Sequence, residues 1–209
     1  MGRTRDVSKI LTSNTSILSL ASASSTYQTI AKTGLIELTP LTISVTGGSG
    51  SISTTGAVSF TSASAVSLNN VFSSTYDNYR IVVTGLPSTA AQFQFRYRVS
   101  SSDDSTTNAY VRQRTNSNNT TISGFRDTTT MYLLGYWNTT LVNTISMDVY
   151  NPFLATSTGL YATALTSSDG AQSQLNLATH NQNTSYTGFT IFPDAGTITG
   201  TISVYGYNK

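Results

Sequence analysis

The sequence predicts an all-β protein: an antiparallel β-sandwich or jelly-roll-like domain preceded by an extended or short-helical N-terminal arm. Residues 92–99 alternate, with Phe93, Phe95, Tyr97 and Val99 on one side and Gln92, Gln94, Arg96 and Arg98 on the other, the pattern of a half-buried antiparallel strand. Ser and Thr make up about a third of the chain, beside 12 Tyr, 8 Phe and one Trp, and Thr and Tyr suit pleated, half-exposed faces. From Gly56 onward short strand-like runs are separated by turn signals every ~8–12 residues, as in sandwiches and jelly rolls.

The chain of 209 residues is long enough for one β-sandwich with a sizeable core. Its few charged residues (10%) could signal disorder, but the aromatic content and the net charge of +2 argue for a folded chain. That charge gives no reason to expect nucleic acid. With no cysteine there is no disulfide framework or thiol chemistry. No apolar run approaches the ~18 residues of a membrane span. Arg3, Arg5 and Lys9 are interrupted by Asp6 and precede no apolar h-region, so no secretory signal is expected.

Residues 1–45 are expected to form an attachment or oligomerisation arm. Val7, Ile10, Leu11, Ile17 and Leu18 have loose helical spacing and Asp6 could cap a short helix. The segment is either a flexible tail or an arm that folds on docking. Residues 46–55, with Thr46-Gly47-Gly48-Ser49-Gly50, are expected to be a linker. They lack the lysine and following helix of a phosphate-binding loop. The sandwich is assigned to residues 56–209.

Within it, Tyr79, Ile81 and Val83 share a side, and Gly85-Leu86-Pro87-Ser88 predicts a hairpin between residues 76–87 and 92–99. Short strands are expected at 57–60, 65–68, 109–114, 131–137 and 141–149. Residues 100–108 and 116–121 are expected to be polar loops. Asp169-Gly170 between alternating runs predicts a hairpin of residues 160–165 with 171–179. Strands follow at 187–192 and 197–207, the last with Ile198, Ile202, Val204, Gly200 and Gly206 on its inner side.

No catalytic constellation stands out, and neither a cofactor nor a metal is expected. His180, the single histidine, is read as a packing or surface residue. Asp103 and Asp104 could offer clustered oxygens to Ca²⁺, but without EF-hand spacing they read as a solvated loop at the recognition end. Tyr132, Tyr136 and Trp137 are candidates for a sugar-stacking platform or a packed interface. Arg96, Arg98, Arg112, Arg114 and Arg126, interleaved with Tyr97 and Tyr110, could form a nucleic-acid or anionic-polysaccharide face; an outward polar face paired with Asp or a neighbouring subunit is the simpler reading. Asn-x-Ser/Thr matches at Asn14, Asn118, Asn119, Asn138 and Asn183 follow from composition.

Three segments carry a resemblance: Phe72-Ser73-Ser74-Thr75-Tyr76-Asp77-Asn78-Tyr79-Arg80-Ile81-Val82, Tyr150-Asn151-Pro152-Phe153, and Gly200-Thr201-Ile202-Ser203-Val204-Tyr205-Gly206-Tyr207. With the opening Arg3-Thr4-Arg5-Asp6-Val7-Ser8-Lys9-Ile10-Leu11, they resemble small virion proteins of tailed bacteriophages. These include tail-fibre-like and other surface structural proteins, especially of phages of cyanobacteria and other marine bacteria. The resemblance implies a β-sandwich body, self-association (often as a trimer) and anchoring through the N-terminal segment. It transfers no catalytic residue. The expectation is a non-enzymatic virion protein assembled in the host cytoplasm, a short tail fibre or fibre-like appendage. Its partners would be a tail adaptor or nozzle, or a host-surface glycan. The alternatives are a capsid decoration protein, and a polysaccharide-degrading or glycan-binding module.

Overall fold

The computed structural model describes residues 34–166 and 172–208. They form two antiparallel sheets packed as a sandwich. In order across the large sheet are β10 (Thr121–Thr129), β9 (Tyr110–Asn118), β14 (Gln172–His180), β13 (Thr158–Thr166), β12 (Asn143–Tyr150), β6 (Asn78–Pro87), β16 (Ile198–Tyr207), β4 (Val58–Ala63) and β3 (Ser49–Ile52), with β1 (Leu35–Leu38) also paired to β16. The small sheet runs β11 (Tyr132–Trp137), β7 (Ala91–Val99), β15 (Gly188–Pro193), β5 (Ala65–Asn69) and β2 (Thr42–Thr46), with β8 (Ser102–Asp103) on β7.

The core lies where the alternation placed it, except at the end of β7, where Arg98 is buried and Val99 is exposed. Tyr79, Ile81 and Val83 of β6 face Phe93, Phe95 and Tyr97 of β7 across the sandwich, all buried. The two strands are not hairpin partners. β6 pairs with β12 and β16 in one sheet, while β7 pairs with β11 and β15 in the other. A period of two specifies only which side is buried, and facing sheets satisfy it as well as a hairpin does. Ile198, Ile202 and Val204 of β16 are buried as the pattern predicts.

The sandwich begins at Leu35, and three strands come from residues assigned to arm and linker. β1 pairs with β16, β2 with β5, and β3 with β4. Leu38, Ile43, Val45 and Ile52 pack against the core. The glycines there serve turns and close approach. Gly47 has φ +75°, and a Cβ on Gly50 would come within 2.7 Å of Val45 Cγ2. The polar run expected as a loop at 116–121 is mostly strand, and β10 follows it. Strands β13 and β14 flank Asp169-Gly170 in antiparallel register; the turn itself and the arm candidates Arg3, Arg5, Val7, Ile10, Leu11, Ile17 and Leu18 lie outside the described residues.

Residues 72–82, 150–153 and 200–207 meet at one end of the sandwich. Phe72 packs on Tyr79 at 4.6 Å between ring centroids. The Tyr79 hydroxyl donates to Ser73 O and accepts from Ser73 N, both at 2.8 Å. Asn151 N donates to Asp77 O at 2.8 Å. Gly206 lies under the Tyr76 ring, where a Cβ would come within 2.5 Å of Cγ.

Gly85 of β6 and Gly200 of β16 are direct cross-strand partners. The paired glycines leave room for Trp137, whose ring would lie 3.1 Å from a Gly85 Cβ and which stacks on Phe93 at 4.6 Å. A Cβ on Gly200 would meet Thr84 O at 2.1 Å, which no side-chain movement relieves. Gly200→Ala is expected to cost about 1–3 kcal/mol by overpacking and to shift the emission of the single tryptophan to the red. Urea unfolding followed by that fluorescence measures both, and unchanged stability with unchanged emission would contradict the packing described.

Candidate functional site

Strand β14 has the sequence Gln172-Ser173-Gln174-Leu175-Asn176-Leu177-Ala178-Thr179-His180. A strand with one face toward a core normally turns its apolar side inward. Here Gln174, Asn176, Ala178 and His180 are buried, while Leu175 and Leu177 point outward, Leu177 at 54% exposure. This inversion generates the two surfaces of functional interest.

His180 holds one end of the inversion. Its ring lies in an aromatic cage, with centroids 4.2 Å from Tyr110, 5.4 Å from Tyr97 and 5.2 Å from Tyr186. Nδ1 is 3.1 Å from the Tyr186 hydroxyl, which donates to Asp104 Oδ2 at 2.5 Å. Tyr186 has one proton and spends it on Asp104, so Nδ1 carries the imidazole proton. Burial drives the imidazole pKa down to about 4, although Asp104 opposes the shift. Burial pushes the Asp104 carboxyl up, but hydrogen bonds from Thr106 and Tyr186 outweigh it and hold the group below its usual range. Further along β14, Asn176 Nδ2 donates to Leu134 O of β11 at 3.1 Å.

On the outer face, Tyr161 of β13 sits directly across from Leu177, and Thr163 across from Leu175. With Tyr150 and Leu165 (66% exposed) they form an apolar strip. Gln113, Arg126, Tyr150, Tyr161, Leu177 and Thr179 line an open depression of about 490 Å³, and Thr163, Leu165, Ser173 and Leu175 border a second of about 250 Å³. The neighbouring outer face is polar. Arg80 pairs with Asp148 through two bonds of 2.9 and 2.8 Å, and the Tyr207 hydroxyl donates to Asp148 at 2.6 Å. The strip is therefore bounded rather than scattered.

The residues proposed from sequence for surface recognition do not share a surface. Tyr132 and Trp137 are core residues, and Tyr136, 41% exposed, points the other way because a register shift between Leu133 and Gly135 reverses the alternation of β11. Asp103 is taken by Arg98 and by Thr190, whose hydroxyl donates to it at 2.6 Å. Asp104 anchors the His180 cage. The arginines also separate. Arg98 is buried on the small sheet, bonded to Asn69, Ser67 and Thr190 at 3.0, 3.0 and 2.7 Å. Arg96 donates to Thr130 O there at 3.1 Å. Arg112 and Arg114 lie on the inner side of the large sheet beside Asp127 and Phe125, and Arg126 lines the outer depression.

Among the described residues no group of three or more His, Asp or Glu converges as metal ligands, and no helix is long and apolar enough to cross a membrane. Asp104, Tyr186 and His180 are occupied with one another inside the core. In comparisons with known proteins, no family model and no curated protein matches the chain.

Unfolded, His180 takes its proton near pH 6.5; folded, only near pH 4. Between those values the unfolded chain holds more protons, so stability falls as pH falls. The loss is expected to reach ~3 kcal/mol by pH 4. Urea unfolding at pH 7 and pH 4.5 should show this loss in the native chain and not in His180→Gln. An equal loss in the variant would place the acid sensitivity elsewhere.

Proposed function

We propose that the chain is a non-enzymatic structural protein of a virion, a fibre-like surface appendage that assembles as a homo-oligomer through the outer face of β13 and β14, a trimer on the strength of the resemblance to phage virion proteins. The observation that carries this reading is the bounded apolar strip of Tyr150, Tyr161, Leu165, Leu175 and Leu177 on a face that an antiparallel sheet usually gives to water. The strip is nearly free of charge, with Arg126 at its margin, so two copies of it meet without like-charge repulsion.

The placement of the ionisable groups agrees with scaffolding. Asp148, Asp103, Asp127 and Asp104 are each engaged by an arginine or by tyrosine and threonine hydroxyls, which ties strands together. The segments resembling phage virion proteins form strand ends and turns that close one end of the sandwich, a supporting role. The N-terminal residues supply attachment in this reading.

Two measurements test it. Sedimentation equilibrium at micromolar concentration is expected to give about three times the 22.3 kDa chain mass, and Leu177→Lys to shift the protein toward monomer while leaving its fold intact. A monomeric native chain would contradict assembly through this face. Immunogold labelling of intact particles is expected to decorate a tail appendage; label on the shell would overturn the fibre placement, and no label on any particle would overturn the virion reading.

A further inference from the structure

Strand β10 is an edge unlike the others in this molecule. Among the described residues it pairs only with β9, so one side of its ladder is open. An open edge is a template for another strand, and proteins normally blunt it by brevity, a bulge, Pro or Lys. The other edges follow that rule. β1 and β3 have four residues each, β2 has five, β8 has two, and the six residues of β11 carry a register shift. β10 has nine residues in unbroken register, Thr-Ile-Ser-Gly-Phe-Arg-Asp-Thr-Thr, with neither Pro nor Lys.

Gly124 in the middle of β10 is a second, independent observation. Glycine inside a strand weakens it, and its usual reasons are a bulge, a positive φ or the close approach of another chain segment. Gly124 lies in no bulge and its φ is not positive, and a Cβ built on it would meet no atom within 4 Å. Nothing among the described residues of its own chain calls for a glycine. Beside it Ile122 is 74% and Phe125 45% exposed, apolar area that a single copy leaves in water.

The occupant follows from the strand's own sequence. Set antiparallel to β10 of a second copy about a two-fold axis at Phe125, all nine residues find partners. Phe125 meets Phe125, a favourable aromatic cross-strand pair. Gly124 faces Arg126 of the partner subunit and gives that long side chain bare backbone to lie across. Asp127, already held by Arg112 of its own chain at 3.0 Å, faces a serine. No like charges stand directly opposite. The smallest slide that keeps inner residues opposite inner ones sets Arg126 against Arg126 in one direction and Phe125 against a serine in the other.

We propose that the open edge of β10 is a two-fold contact between copies of this chain, the two strands joined antiparallel about Phe125 so that their large sheets run on as one. The contact is separate from the outer strip of β13 and β14, and it depends neither on that strip nor on the virion reading. A single edge buries less than ~1,200 Å², which places it in the weak class of interfaces.

The chain has no cysteine, so introduced thiols are the only ones present. Thr121→Cys and Thr129→Cys chains, mixed at ~100 μM to suit a weak contact and mildly oxidised, are expected to form the mixed disulfide dimer, because these positions face each other within disulfide reach. Either chain alone should cross-link at least ~10-fold more slowly, its thiols lying about 27 Å apart along the paired strands. Phe125→Lys in both chains sets like charges opposite and should slow the mixed cross-link about tenfold, with Trp137 emission unchanged. Leu177→Lys in both chains should leave the rate unchanged. A mixed rate no greater than that of either chain alone, a rate untouched by Phe125→Lys, or one lost with Leu177→Lys would overturn the proposal, the last by assigning the contact to the outer strip.

Discussion

The burial of His180 determines which way β14 faces, and much of the molecule's character follows from that choice. Side chains alternate along a strand, so residues of even number from 174 to 180 must share a side. With the imidazole enclosed by Tyr97, Tyr110 and Tyr186, Asn176 and Gln174 are carried inward and Leu175 and Leu177 outward. A slip of one residue would bury the leucines but expose the histidine and break the Asn176 bond to β11. The cage and the ladders to β13 and β9 hold the register against the hydrophobic preference of two leucines, a preference of about 1.5–3 kcal/mol for each side chain fully buried.

The rest of the sandwich follows conventional packing and lets this strand depart from it. β6, β12 and β16 bury Tyr79, Ile81, Val83, Ile145, Met147, Val149, Ile202 and Val204 against the aromatic face of β7, and the Gly85–Gly200 pair gives Trp137 its place. The few charges serve as cross-links. Arg98 gathers β5, β7, β8 and β15 around one guanidinium, and Arg80 joins β6 to β12. Carboxylate pairs of this kind on a low-charge surface add geometry more than energy where they are exposed. Where they are buried, as at Arg98, removing one partner strands a charge.

Much of this fold was legible in the sequence. The alternation in residues 92–97 and 197–207 identified buried faces correctly, because both strands have one apolar and one polar side; at the end of β7 it failed, with Arg98 buried by its bonds to Ser67, Asn69 and Thr190 and Val99 exposed. The Asp-Gly signal fell between strands that do pair. Local patterning failed where the decisive contact is distant. Nothing near Leu175 indicates that His180 will find a cage built from β7, β9 and the loop holding Tyr186. Tyr132 and Trp137 looked like a platform because aromatic runs suit surfaces and cores equally; the register shift at Leu133–Gly135 of β11 buries both and exposes Tyr136. β3 and β10 were missed because runs rich in Gly, Ser and Thr look like loops until a neighbouring strand supplies their hydrogen bonds, and β1 because its four residues, Leu-Ile-Glu-Leu, are too few to show a period. The inversion of β14 could have been suspected from Gln174 and Asn176 alternating with leucines, but only the facing strands show which side of that alternation is enclosed.

The chain's one histidine allows the face of β14 to be read directly, since its imidazole proton resonance is unique in an NMR titration of the folded protein. The account predicts that the signal keeps its neutral-form position on acidification until about pH 4. Titration between pH 6 and 7 would contradict the enclosed, neutral imidazole on which the facing of β14 rests.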